Sequence, residues 1–145
     1  MWWNVDLRLM KEKLKTLQII HLAITLGVAF AYFFVLDKNV FTNIKIPAIN
    51  SNSIIYALIP VLSIVLSNIM FKNMISKIDS NLSDENKINV YQTSSIIRWA
   101  ILEGAAFVLL FLKPDFFIFG IVIIVYLLTI RPTEDKLKND LNLTK

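Results

Sequence analysis

Four long runs of apolar residues, separated by short polar segments, dominate the pattern of this sequence. The runs cover residues 19–36, 54–71, 96–112 and 116–130. Each is slightly shorter than the ~20 residues that cross a bilayer as a helix, but the flanking residues favour helix and extend every run. The pattern predicts an all-α membrane protein, with one four-helix transmembrane domain over residues 1–145. Its spans are expected at about residues 16–36, 54–72, 93–112 and 114–131.

The polar residues between the runs predict where helices begin. Ser83, followed by Asp84 and Glu85, is typical of a helix N-cap with acidic residues in the first turn. The third helix is therefore expected to begin near residue 84, outside the membrane, and to continue to residue 112. Pro114 fits the first turn of the fourth helix. Residues 37–53 form a predicted polar loop, and an amphipathic tail is expected after residue 133.

The composition supports the membrane prediction. Hydrophobic residues make up 56% of the chain and charged residues 18%, whereas soluble domains average about half apolar and a quarter charged. A buried soluble bundle is the alternative, but these helices offer too few polar faces to water. The first apolar run is too long for the core of a signal peptide, so no cleavable signal is expected.

The distribution of Lys and Arg predicts the orientation in the membrane. Most basic residues lie before the first helix, in the 72–92 connector and after residue 130, whereas the opposite side has only Lys38, Lys45 and Lys113. Basic residues favour the cytoplasmic side, so both termini are expected there, in a multi-pass protein of the inner membrane. The basic residues form no stripe with aromatic residues, so nucleic acid is not an expected partner.

The first and third apolar helices resemble each other in sequence. Residues 16–35 and 93–112 align without gaps, with nine identities in twenty positions, and His21 lies opposite Arg98. This similarity predicts a duplicated two-helix hairpin in parallel orientation. Each copy also has a row of small residues, and such rows let helices approach closely in lipid. The predicted helix-packing residues are Ala23, Gly27, Ala31, Ala100 and Gly104.

Glu103 is the one acidic residue inside the apolar runs, and such residues are costly in hydrocarbon. Two interpretations remain open. In the first, Glu103 titrates in a proton or cation site; in the second, it is a neutral or paired carboxyl that helps helices to pack, and Arg98 extends towards the headgroups. The other residues of this possible proton or cation site are the polar residues expected at the depth of Glu103 or closer to the cytoplasm. They are Thr25, Ser63, Ser67, His21 and Arg98.

Catalytic motifs are absent from the sequence. It contains no cysteine, a single histidine and three glycines, so neither a metal site nor a phosphate-binding loop is expected. No Ser-His-Asp set or pair of clustered carboxylates is present either. We therefore expect a protein that is not an enzyme and has no cofactor.

Three resemblances concern particular segments. Leu102-Glu103-Gly104-Ala105-Ala106 is similar to the carboxylate helix of the rotor proteolipids of rotary ATPases, over about fifteen residues. This chain lacks their glycine-dense inner helix, and its glutamate lies on the first helix of the hairpin. Four short helices with one glutamate also resemble small multidrug exporters, whose glutamate lies in the first helix. The segments LQIIHLAITLG, IIRWAILEGAAF and RPTEDKLKNDL resemble a group of small uncharacterised four-helix bacterial inner-membrane proteins.

The sequence as a whole predicts a small packing or accessory subunit of a membrane assembly. The alternative is a small proton- or cation-coupled translocator, or an ion-pathway subunit similar to a proteolipid, that uses Glu103. The expected partners are the lipid bilayer and either further copies of the chain or other membrane subunits.

Overall fold

The computed structural model describes residues 2–143, with side chains from Arg8 onward. Helix makes up 80% of the protein, and the described residues contain no strand. The elements are α1 (Trp2–Val35), α2 (Lys38–Thr42), α3 (Ile54–Ser76), α4 (Asp84–Leu112), a 3-10 turn (Pro114–Phe116), α5 (Phe117–Thr129) and α6 (Glu134–Leu141). The prediction of an all-helical fold is confirmed.

Three helices are long and apolar enough to cross a membrane: the Arg8–Val35 part of α1, the whole of α3 and the whole of α4. The fourth predicted span corresponds to Pro114–Thr129, which meets the same test only together with α6. The chain bends by 81° between these two segments. The described part of the chain therefore has three candidate spans, or four if the bent pair is counted as one.

The helix ends follow the predicted local signals. The Ser83 hydroxyl accepts a hydrogen bond from the Asn86 amide at 3.4 Å, and α4 begins at the next residue after Ser83, as predicted. Pro114 opens the 3-10 turn that leads into α5. The predicted polar loop after α1 differs in one respect, because it contains the short helix α2. The Asp37 carboxylate accepts the Asn39 amide at 3.0 Å and so caps that helix.

The long helices bury several polar residues and expose many apolar ones. On α1 the buried side chains follow each other at intervals of three or four residues, which places them on one face. They are Met10, Leu14, Leu17, His21, Thr25, Val28, Tyr32 and Leu36. The opposite face exposes Phe30, Phe33 and Phe34, the last at 77%. Apolar residues on the outside and hydroxyl and imidazole groups on the inside suit a helix surrounded by lipid.

Helix α4 is the central element of the bundle, because it packs against α1, α3, α5 and α6. It runs parallel to α1: Lys13 contacts Asn89, His21 packs on Trp99, and the Tyr32 hydroxyl reaches the Ala106 carbonyl. These pairs advance together along both helices. Residues of α4 therefore lie level with those of α1 that precede them by 74–78 positions.

Gly120 of α5 allows the Tyr32 side chain to enter the bundle. The Tyr32 ring is only 3% exposed, and its hydroxyl donates to the Ala106 carbonyl at 2.6 Å. A Cβ atom on Gly120 would overlap the hydroxyl and the ring of Tyr32. The glycine is required here because of this close approach. The contact joins α1, α4 and α5 at one point.

The C-terminal helix α6 folds back onto the base of the bundle. Leu137 and Leu141 are buried, as the amphipathic pattern of the tail predicts. The Lys136 ammonium donates to the backbone carbonyls of Thr129 and Arg131, at 3.1 and 3.2 Å. Lys136 thus satisfies carbonyls that the end of α5 leaves free.

Candidate functional site

His21 and Thr25 lie in the interior between α1 and α5, where protein groups satisfy them. His21 Nε2 donates to the Leu127 carbonyl at 2.9 Å, and its ring packs edge-on against Trp99, with centroids 4.8 Å apart. The Thr25 hydroxyl donates to the His21 carbonyl at 2.8 Å. Both residues therefore stabilise the packing of α1.

The serines of α3 are also satisfied locally. Ser63 and Ser67 are buried, and their hydroxyls donate to the carbonyls of Pro60 and Ile64, both at 3.0 Å. The carbonyl that accepts from Ser63 belongs to Pro60, the proline inside α3. Both serine hydroxyls therefore donate to carbonyls of their own helix.

Arg98 belongs to a polar cluster that joins α3, α4 and α5. Its Nη2 donates to the Tyr126 hydroxyl at 3.0 Å, and its guanidinium lies 5.0 Å from the centroid of the Phe71 ring. Asn68 Nδ2 donates to the same Tyr126 hydroxyl at 2.7 Å. Arg98 Nε is buried without a hydrogen-bond partner among the described residues. Arg98 therefore turns into the bundle towards an aromatic ring and a phenol.

Tyr126 is the member of this cluster that sequence reasoning missed. It lies within the fourth apolar run, where the surrounding residues gave no reason to single it out. The available signal was a phenol in an otherwise apolar helix, close to the same end of the bundle as Asn68 and Arg98. A buried tyrosine hydroxyl needs a partner, and these two residues were the nearest candidates.

Glu103 lies apart from these polar residues. It follows the buried Leu102 and is itself partly buried. Glu85 lies about five helical turns earlier on the same side of α4, and its carboxylate pairs with Lys13 of α1 at 3.6 Å. Glu103 therefore lies on the flank of α4 nearest to α1. No hydrogen bond or ion pair of residues 8–143 involves its carboxylate.

The predicted small-residue rows lie on the surface next to Glu103. Ala23, Gly27, Ala100 and Gly104 are exposed, and Ala31 is half-buried. A Cβ atom added to Gly27 or Gly104 would meet nothing within 4 Å. The register of α1 and α4 places Glu103 level with residues 25–29. We call Ala23, Gly27, Ala31, Ala100, Glu103 and Gly104 the α1–α4 outer face.

The structure thus divides the predicted site residues among separate places. His21 and Thr25 face α5, Ser63 and Ser67 bond within α3, Arg98 joins the Tyr126 cluster, and Glu103 lies on the outer face. No group of three or more His, Cys, Asp or Glu side chains in the described part of the chain comes together to hold a metal ion. Comparison with protein-family models, curated proteins and solved structures finds no match to this chain.

Proposed function

We propose that this is a small non-enzymatic accessory subunit, which binds another membrane-spanning chain through the α1–α4 outer face. The supporting observation is Glu103, whose carboxyl group has no partner among the described residues and lies in the apolar part of α4, beside the exposed Gly27 and Gly104. The partner is either a second copy of the chain or a different membrane subunit. The protein spans the inner membrane several times and keeps both termini in the cytoplasm, as its basic residues favour.

The energetics of a carboxyl group in lipid support this role. An acidic side chain near the centre of a bilayer costs several kcal/mol unless it finds a partner or water. A neighbouring helix could supply a hydroxyl, amide or cationic donor to Glu103. The missing side chains at Gly27 and Gly104 leave room for that helix to approach closely, which strengthens packing in lipid.

The alternative is a proton- or cation-coupled translocator that uses Glu103. Such a site requires hydrated polar groups around the titrating carboxyl. Thr25, Ser63 and Ser67, which lie at similar depth, donate instead to carbonyls of their own helices. This arrangement favours the accessory role.

Co-purification tests the proposed function. Gly27→Leu and Gly104→Leu place a bulky side chain on the α1–α4 outer face, where an added Cβ atom meets nothing within 4 Å. Both variants should fold and retain about tenfold less of the partner than the unaltered protein, since small-residue contacts determine close approach. Phe33→Leu is the matched control, because Phe33 is exposed and lies about 120° around α1 from Gly27. Native purification with in-cell crosslinking identifies the partner and its stoichiometry.

Substitution of Glu103 separates the two functions. Glu103→Gln keeps the hydrogen-bonding capacity, so an accessory subunit should assemble normally, whereas Glu103→Leu should lose the partner. A translocator should behave in the opposite way, with Glu103→Gln folded and assembled but inactive. Full partner retention by both glycine variants and by Glu103→Leu would contradict the proposed interface.

A further inference from the structure

A groove of about 390 Å³ runs along the outside of the bundle between α1 and α5. Its walls differ in composition between its two ends. Towards the middle of the bundle they consist of Ile19, Leu22 and Leu128, and at the cytoplasmic end they consist of Lys15 and Arg131. The groove therefore has apolar walls, a polar floor of Gln18, His21 and Thr25, and two basic side chains at its mouth.

The two basic side chains are available for a ligand. Both are exposed, and neither forms a side-chain hydrogen bond or ion pair with any described residue. The polar groups at the bottom of the groove are already satisfied, since Gln18 donates to the Pro132 carbonyl at 3.1 Å and His21 to that of Leu127. A ligand in the groove would thus find charge at the mouth and needs no polar group deeper down.

We infer that this groove binds an anionic phospholipid of the cytoplasmic leaflet. The lipid phosphate lies between the Lys15 ammonium and the Arg131 guanidinium, and an acyl chain packs against Ile19, Leu22 and Leu128. Basic pockets between transmembrane helices on the cytoplasmic side are suited to anionic headgroups. The guanidinium offers paired donors to a phosphate, and the ammonium adds a second point charge.

This inference rests on the proposed membrane insertion with cytoplasmic termini, but not on the α1–α4 outer face. Resistance of the protein to carbonate extraction from membranes tests insertion separately. Gly27→Leu should leave lipid binding unchanged, because Gly27 is not among the residues that line the groove. Failure of the accessory role and failure of the lipid site are therefore distinguishable.

The test measures lipid retention by native mass spectrometry of the full-length protein in detergent. Phosphatidylglycerol should bind, and phosphatidylcholine should bind much more weakly. Lys15→Gln combined with Arg131→Gln should weaken phosphatidylglycerol binding about thirtyfold, at about fivefold for each basic group near an anionic lipid. The matched control is Lys72→Gln combined with Lys77→Gln, which removes the same charge from exposed positions outside the groove.

A second variant tests the apolar part of the groove. Leu128→Trp retains both charges but fills the space of the acyl chain, so phosphatidylglycerol retention should fall while the fold remains intact by circular dichroism. Inorganic phosphate at millimolar concentration should neither compete nor raise the melting temperature. Equal binding of phosphatidylcholine, equal loss in the Lys72 and Lys77 control, unchanged retention by Leu128→Trp, or competition by inorganic phosphate would each overturn the lipid site.

Discussion

Gly120→Ala is the sharpest test of the bundle, because it adds one methyl group at the point where Tyr32 enters. The added Cβ would coincide with the hydroxyl and ring of Tyr32, which is almost fully buried. The tyrosine must then move and lose its hydrogen bond to the Ala106 carbonyl. We expect the variant to fold into the same bundle with reduced stability.

The size of the effect follows from three contributions. Overpacking a filled interior costs about 1–3 kcal/mol. Loss of an interhelical hydrogen bond in a membrane protein costs about 0.6–1.7 kcal/mol. Alanine recovers about 1 kcal/mol over glycine in the helix interior. The free energy of unfolding should therefore fall by about 2 kcal/mol, taking the middle of these ranges.

The controls are Gly27→Ala and Gly104→Ala, where the added methyl group meets nothing within 4 Å. These two variants should be unchanged or more stable by up to about 1 kcal/mol. SDS titration of protein in mixed micelles, followed by circular dichroism, measures all three. A double-mutant cycle with Tyr32→Leu should abolish the penalty at Gly120, since the ring is then absent. If Gly120→Ala proves as stable as Gly27→Ala, the role assigned to Gly120 is wrong.

Two further predictions concern the helix ends. Ser83→Ala removes the N-cap of α4, so the free energy of unfolding should fall by about 1 kcal/mol and amide hydrogen exchange at Asn86 should become faster. Ser83→Asp should restore the protection of this amide. Unchanged exchange in the alanine variant would contradict the capping role. The hydrogen bond and charge of Lys138 hold the pKa of Glu134 below its ordinary value. The ion pair therefore stabilises α6 at neutral pH, and this stabilisation is lost as the pH falls through the lowered pKa of Glu134. Lys138→Gln should raise the pKa of Glu134 in a carboxyl NMR titration, and an unshifted titration would show that the pair does not form in solution.

Helix positions could be predicted from local sequence because their causes are local. The Ser83 cap and Pro114 each act on the turn that they begin, and both appear where expected. The spacing of His21, Thr25 and Tyr32 also places them on one face of α1, and all three are buried. The short helix α2 was missed because five residues give too little periodicity, although Asp37 supplied a cap signal.

Contacts between helices could not be predicted in the same way, since they depend on how each helix is rotated about its axis. The sequence placed Glu103 at the depth of Thr25 and Ser63, but depth does not determine which side of a helix a residue faces. Glu103 lies on the α1 flank of α4, whereas Thr25 faces α5. Likewise, nothing in the sequence around Gly120 indicates that the Tyr32 side chain of α1 occupies the space where a Cβ atom would lie.

The short fifth helix has a consequence for the bilayer around the protein. With its 3-10 turn it rises only about 25 Å, whereas α3 rises about 35 Å and a typical hydrocarbon core is ~30 Å thick. Once inserted, the bundle presents to lipid an apolar surface that is higher along α3 than along α5. Lipids beside α5 must compress by several Å, at a fraction of a kcal/mol per Å. This hydrophobic mismatch favours thin membranes and makes the bilayer thickness uneven around the circumference of the protein.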